Sequence, residues 1–342
     1  MTGSPQRRGH SRLAAIAIPI VGTALLLAGC GGNHDVLRAR SHQQHRIDTL
    51  FWIMAIGAFV GLGVVAIFLL LGWVRRHREG LPGGGGDRAG ATLVVLLGVA
   101  VPIVVLSGLF WYSDVSVIAS TTPPAARSTA MTVEVTGHQW FWEVRYPGTN
   151  AVTADEIHIP VHTRVNVVAR TADVIHSFWV PELNRKIDMI PGRTNRILLD
   201  VDQVGVYRGQ CSEFCGLQHA HMALLVFADP PDVFRRWLAH MSQPATERLT
   251  IAERRGRDVF LSEACSGCHA IRGTKADGTV GPDLTHLQTR TTLAAVTIPN
   301  SKADLAGWVL DPQHVKPGNK MPALPLAGGQ LQDLLAYLAS LR

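Results

Sequence analysis

The sequence predicts a multidomain membrane protein in three parts: a two-helix transmembrane hairpin, a β-sandwich and a small all-α domain. Three observations predict it. Two uncharged apolar runs long enough to cross a bilayer stand in the N-terminal third, and short β-rich runs broken by Gly, Pro, Asn and Asp fill the middle. Helical spacing then returns on both sides of a Cys-x-x-Cys-His motif. A length of 342 residues allows two or three ordinary domains, and 47% hydrophobic residues is too many for a disordered chain.

The first apolar run, Leu13 to Leu27, follows Arg7, Arg8 and Arg12 and ends in LAGC. A basic start, a short apolar core and small residues before the cut predict an export signal over residues 1–29. The cysteine at the cut resembles a bacterial lipoprotein signal, in which Cys30 is lipidated and becomes the new N-terminus. An ordinary signal with an incidental cysteine is the competing reading. The three arginines would leave with the signal, taking the formal charge from +6 to +3. No run of Lys and Arg interleaved with aromatics appears, which argues against nucleic acid as a partner.

Residues 30–48 are polar and read as an exposed, exported lead-in. From Thr49 to Val74 there is no charged residue over 26 positions, enough for one membrane helix. A loop over residues 75–88 follows, and a second uncharged run of 25 positions extends from Ala89 to Ser113. Arg75, Arg76, Arg78 and Arg88 in the loop place it in the cytoplasm by the positive-inside rule, although Arg38, Arg40 and Arg46 weaken the bias. A lipidated exported N-terminus requires the same orientation. Trp52, Trp73, Trp111 and Tyr112 near the ends of the runs suit the membrane interface. Pro102 predicts a local kink. Neither run holds an acid or base, so the hairpin offers no proton relay of its own.

Residues 114–128 read as a proline-containing linker. Beyond them MTVEVTG, QWFWEVRY, DEIHIP, RVNVVAR, NRILLDV and ALLVFAD predict at least six short strands, the texture of a sandwich over residues 129–235. Residues 236–250 read as a hinge with Pro244. ERRGRDVFLSEACSGCH, LAGWVLDP and GGQLQDLLAYLASLR carry helical spacing and define a domain over residues 251–342.

The chain holds five cysteines: Cys30, Cys211, Cys215, Cys265 and Cys268. Cys211 to Met222 reads CSEFCGLQHAHM, which places two thiols, the imidazole of His219 and the thioether of Met222 within a dozen residues. A thioether among thiols and imidazole favours copper over zinc. Gly216 supplies the backbone freedom of a tight ligand loop. With His176 upstream, in DVIHSFWVP, the donors exceed what a single blue copper uses, so two bridging thiolates suggest two coppers. His158, His162, His221 and His240 need no role and read as solvent-facing or strand-edge histidines.

Cys265-Ser-Gly-Cys268-His269 is the covalent attachment signature for haem c, two thiols for two vinyl groups and an adjacent imidazole for the iron. A zinc or redox Cys-x-x-Cys is the competing reading. GNKMPAL offers Met321 as the second axial ligand, a His/Met pair suited to electron transfer. His286 and His314 compete for that position and read as surface residues.

The hairpin, GHQWFWEVRYP, DVIHSFWVPEL, RKIDMIPGR, YRGQCSEFCGLQHAHM and the haem motif together resemble subunit II of haem-copper cytochrome c oxidases, in the variety with a fused C-terminal cytochrome c domain. The resemblance implies a cupredoxin-like Greek-key sandwich and a class I cytochrome c domain. It implies a dinuclear CuA centre held by His176, Cys211, Cys215, His219, Met222 and the carbonyl of Glu213, with the Glu213 side chain toward a magnesium ion shared with subunit I. It further implies Trp140 as the residue where electrons arrive, and Pro282, in GPDLT, as the carbonyl that orients His269. One departure stands out: many members carry a glutamate and a tryptophan before the second-span proline, where this chain has Val95 and Gly98, which puts a proton-uptake role in doubt.

The function implied is transfer of electrons from cytochrome c through haem c and CuA to the haem of subunit I, for oxygen reduction coupled to proton translocation. Implied partners are subunit I, subunit III, and a soluble or membrane-bound cytochrome c or quinol-cytochrome c reductase. The setting is the bacterial plasma membrane, with both redox domains on the outer face. Two other readings stay open: the electron-accepting subunit of a nitric oxide reductase, and a membrane-anchored copper-binding protein without a catalytic partner. The sandwich alone would also suit nitrous oxide reductase, but the two-span hairpin argues against it.

Overall fold

The computed structural model describes residues 32, 34–75, 87–121, 129–246 and 248–342. The expected export signal and Cys30 lie outside the described residues, as does most of the 75–88 loop. Two helices are long and apolar enough to cross a membrane, α1 (His42–Arg75) and α2 (Gly90–Thr121). Within α2 a π-helical turn at Leu96–Ala100 directly precedes Pro102. Proline lacks an N–H and crowds the carbonyl four residues back, and a widened turn is how a helix accommodates that. Val95 and Gly98, beside and within this turn, are exposed.

Both outer ends of the hairpin continue beyond the uncharged runs. The polar lead-in is not exposed throughout: Ser41, Gln43 and Gln44 are buried, while His42, His45 and Arg46 are exposed. Here the main chain pairs with the sandwich, Arg40 N–H donating to Glu182 O at 3.0 Å and Asp202 N–H to Arg40 O at 3.0 Å. Residues 114–121 are likewise helix rather than linker, because SDVSVIAST contains no breaker before Pro123. Arg46 donates to Ser116 Oγ at 2.9 Å and Arg185 to Thr121 Oγ1 at 3.2 Å, so both helix ends are tied to each other and to the sandwich.

The sandwich has two five-stranded sheets. One runs β3 (Val152–Ala154), β2 (Phe141–Arg145), β1 (Met131–His138), β5 (Val165–Thr171) and β8 (Asn195–Leu199). The other runs β4 (Glu156–Pro160), β10 (Ala223–Asp229), β9 (Gly205–Cys211), β6 (His176–Trp179) and β7 (Ile187–Met189). Each sheet contains one parallel pair, β1 with β5 and β4 with β10. Alternation along β1 turns Val133 and Val135 inward, where they meet Trp142, Val144, Ile157, Phe178, Leu199, Leu224 and Val226, all at most 1% exposed. Each such side chain contributes roughly 1.5–3 kcal/mol by leaving water.

The sandwich does not end at residue 235. Helix α3 (Pro231–Met241) places Phe234 and Met241 in its core and stacks Trp237 on His158, ring centroids 4.1 Å apart. Pro231 at the helix start and the spacing of Phe234, Trp237, Leu238 and Met241 explain an amphipathic helix where a linker was expected. His158 is correspondingly enclosed, stacked also on Phe227 and bonded through Nδ1 to Asp229 at 2.9 Å. His162, His221 and His240 are exposed. Past Met241, Ala245 and Leu249 are buried in the C-terminal core, so this segment is packed rather than free.

The C-terminal domain contains α4 (Ile251–Ser262), α5 (Cys265–Cys268), α6 (Lys302–Leu310), α7 (Pro312–Val315) and α8 (Gly328–Ser340). Thr250 and Glu253 form a reciprocal capping box that starts α4. Helices α4 and α8 pack through Phe260, Leu334, Tyr337 and Leu338, with Arg255 bidentate on Asp333 at 2.6 and 2.8 Å. His286 is 2% exposed rather than on the surface: its ring nitrogens bond Arg342 O and Gln243 O, which leaves neither for a metal. His314 is exposed.

Candidate metal centre and haem cleft

The end of β9, the loop after it and the start of β6 bring the copper-type donors together. Cys211 closes β9 opposite Phe178 of β6 in the same sheet, and His176 opens β6 two residues before Phe178, on the same face. The ligand atoms of His176, Cys211 and Cys215 all lie within 4.8 Å of one another, and all three residues are buried. The two Sγ atoms are 3.8 Å apart, and His176 Nδ1 is 3.8 Å from Cys211 Sγ. His219 Nδ1 and Met222 Sδ lie 3.7 and 3.8 Å from Cys215 Sγ, and Glu213 O lies 3.2 Å from Cys211 Sγ. Two thiols, two imidazoles, a thioether and a carbonyl converging at these distances fit copper.

Gly216 makes the loop possible. Its φ of +113° is one that L side chains rarely adopt, and a Cβ there would stand 3.0 Å from the Trp140 ring. Trp140 Nε1 and Gln139 Nε2 both donate to Cys215 O, at 3.0 and 2.8 Å, clamping the loop from the opposite sheet.

The charges suit a cation. The Cys211 thiol is held far below its ordinary value, chiefly by the hydrogen bond from Cys215 and also by His176, while Cys215 is pushed up by the same neighbour. The two thiols therefore oppose each other's ionisation, and a bound cation would favour ionisation of both. Burial opposes a charge on His176, but the contacts with Cys211 and Asp173 outweigh it and raise its pKa. Asp173 Oδ1 accepts from His176 Nε2 at 2.8 Å, which leaves Nδ1 to face the sulfurs. The carboxyl of Glu213 points elsewhere, 44% exposed and 3.7 Å from Lys186 Nζ.

Cys265, Cys268, His269, Pro282 and Met321 line one cleft in the C-terminal domain. His269 Nδ1 bonds Pro282 O at 2.8 Å, leaving Nε2 for a ligand, and burial lowers the pKa of the ring. Gly281 allows this approach, since a Cβ there would stand 2.5 Å from His269 Cε1. Arg290 also lines the cleft, and its Nε is buried without a hydrogen-bond partner. A buried guanidinium with an unused donor beside two thiols and an imidazole fits a haem with its carboxylates. Trp140 lines this cleft as well, so one residue touches both sites.

Asp173, Gln139 and Arg290 lie at these sites without having been singled out in the sequence. Asp173 had a usable signal, an acid three residues before a candidate ligand histidine. The other two are visible only in contacts between distant segments.

A family model described as cytochrome c oxidase subunit II, periplasmic domain, matches residues 149–228, and one described as cytochrome c matches residues 253–342. The cytochrome c oxidase subunit 2 of Alkalihalophilus pseudofirmus is 32% identical over 344 residues, covering 97% of this chain and 98% of that protein. That of Bacillus sp. (strain PS3) is 30% identical over 261 residues, 73% of this chain and 72% of that protein. The solved periplasmic domain of subunit II of cytochrome oxidase of Bradyrhizobium japonicum aligns over 33% of this chain and 94% of its own, at 31% identity and a TM-score of 0.33.

A two-span anchor, a sandwich with a thiolate and imidazole cluster and a fused cytochrome c domain together define a membrane-anchored electron-transfer subunit. The chain belongs to the cytochrome c oxidase subunit 2 family. It is the electron-receiving subunit of a haem-copper terminal oxidase, and its sandwich is the periplasmic domain.

Proposed function

We propose that this chain takes electrons from a c-type cytochrome, or directly from a quinol-cytochrome c reductase, at its C-terminal domain. It hands them through the Cys211–Met222 loop to subunit I of its oxidase, where oxygen is reduced and protons are translocated. Haem c joined to Cys265 and Cys268 and a dinuclear copper centre, when bound, supply reversible one-electron chemistry at the two sites. The observation that carries this reading is the position of Trp140, whose indole N–H is bonded to the Cys215 main chain and which also lines the cleft of the CSGCH motif.

In this reading His176, Cys211, Cys215, His219, Met222 and the Glu213 carbonyl hold copper, and His269 and Met321 hold the haem iron. Asp173 and Pro282 fix which nitrogen each histidine presents. Burial of His176, Cys211, Cys215 and Met222 keeps water from the donors. The Glu213 carboxylate, paired with Lys186, is one oxygen and not a cation site by itself, so no step is assigned to magnesium.

The ties of both hairpin ends to the sandwich support a single outer face for the copper and haem domains, with residues 75–88 in the cytoplasm and Cys30 as a lipid anchor. Subunit III is a further partner in this reading. Optical and electron paramagnetic resonance spectra of the detergent-purified complex test it. A mixed-valence signal with hyperfine coupling to both copper nuclei, beside haem c and oxygen consumption, is expected. A single-copper spectrum would remove the dinuclear assignment, and turnover of nitric oxide in place of oxygen would favour a nitric oxide reductase.

A further inference from the structure

Lys316 belongs to the C-terminal domain, yet it is 2% exposed and its ammonium sits against the copper loop. Nζ donates to Trp140 O at 3.1 Å, His221 O at 2.9 Å and Ala294 O at 3.2 Å. An ammonium has three donors, and all three end on carbonyls. Two of those carbonyls are on the sandwich and one is on the domain that carries the lysine. The first belongs to the residue that bonds Cys215, and the second lies between the ligands His219 and Met222 in sequence.

The lysine also opens the segment that ends in Met321. Asn319 braces that segment: its amide donates to Pro312 O at 2.8 Å and Lys316 O at 2.7 Å, and its Oδ1 accepts from Met321 N–H at 2.7 Å. The turn from Lys316 to Met321 is thus held by main-chain bonds of its own, separate from those of the Lys316 ammonium. Other bonds cross the same boundary. Gln218 donates to Pro317 O at 2.6 Å, Ala223 N–H to Ala295 O at 3.3 Å, and Thr291 N–H to Glu156 Oε1 at 2.7 Å. Of these, Lys316 alone joins Trp140, the copper loop and the Met321 segment through one atom.

We infer that Lys316 is a positioning residue, a latch that docks the C-terminal domain on the copper loop and fixes the Trp140 main chain between the two sites. This rests on the relay reading above only for its consequence in electron transfer. The docking itself stands on the geometry. A fully satisfied buried ammonium is costly to free, because withdrawing it leaves the Trp140 and His221 carbonyls short of a donor and removing its charge leaves Asp155, which lines the same cleft, with Arg290 but without Lys316.

The test compares wild type with K316M and K316R in the detergent-purified complex. Hydrogen exchange is read at the peptides containing Ala223 and Thr291, whose amides bond across the boundary. K316M is expected to speed their exchange by about tenfold with β1 unchanged, and K316R to restore part of the protection. In parallel, a photoexcited ruthenium tris-bipyridyl complex, regenerated by a sacrificial amine, delivers one electron to the haem. Its appearance at copper is expected to slow by about tenfold in K316M, with metal content and both midpoint potentials at wild-type values.

Unchanged exchange overturns the latch, and loosened exchange with an unchanged transfer rate overturns the positioning role. If K316M fails to assemble, K316Q, which keeps two amide donors without the charge, is read in the same way, with an expected change of about threefold. A wild-type complex lacking copper or haem would sink the relay reading instead, and the exchange measurement would still decide the latch.

Discussion

The indole N–H of Trp140 donates to the carbonyl oxygen of Cys215 at 3.0 Å, and the same residue lines the cleft that holds Cys265, Cys268 and His269. Trp140→Phe keeps an aromatic ring against Gly216 but loses that bond. Copper content and the copper spectrum are expected to persist, because Gln139 still holds Cys215 O at 2.8 Å. Electron arrival at copper is expected to slow by roughly tenfold in stopped-flow or flash measurements. A wild-type rate would show that Trp140 only packs.

Asp173 Oδ1 and His176 Nε2 are 2.8 Å apart, and Asp173 also accepts the Gln139 N–H at 2.7 Å. Asp173→Ala frees the imidazole to rotate and is expected to weaken copper retention by about 10–100-fold. Competition with a copper chelator on the purified complex measures it. Asp173→Asn, which keeps an oxygen for one of these bonds, should lie between. Equal retention in all three proteins would refute an orienting role.

On the haem side, Gly281→Ala would place a methyl group 2.5 Å from His269 Cε1 and 2.8 Å from Nδ1, pressing the ring off Pro282 O. Overpacking of this kind costs about 1–3 kcal/mol. The haem should remain covalently attached through the two cysteines while its axial spectrum and midpoint potential shift. An unchanged potential by redox titration would contradict the packing argument.

Asp155 is buried at a φ of +63° and accepts the Trp142 N–H at 2.8 Å. Burial pushes its carboxyl up to about 6, against the opposing pull of that bond and of Lys316 and Arg290. Folding therefore takes up a proton between the ordinary carboxyl value and about 6. The stability it contributes is full below that ordinary value and is lost as pH rises through about 6, amounting to about 3 kcal/mol. Asp155→Asn keeps the acceptor and tolerates the left-handed backbone, so it is expected to flatten this fall. Thermal unfolding at about pH 5 and about pH 7.5 compares the two proteins, and parallel pH dependence would refute the assignment.

Much was legible in the sequence because it is encoded locally. Membrane-length runs, alternation along β1, the CSGCH motif and the donors between Cys211 and Met222 each lie within one stretch of chain, where spacing alone determines which side chains can meet. Reading failed where burial depends on a distant surface. Ser41 to Gln44 and helix α3 looked exposed or linking because the strand edge and the Tyr146 and His158 face that cover them are remote in sequence.

The sequence by itself determined the chemistry of both sites: which donors are present and which metals they suit. Tertiary structure decided that the sites adjoin. Trp140 meets Cys215 across 75 residues, and Lys316 meets Trp140 across 176, contacts that no local pattern specifies. They form because packing two domains into one boundary buries an ammonium whose three donors need acceptors, and carbonyls from both domains supply them.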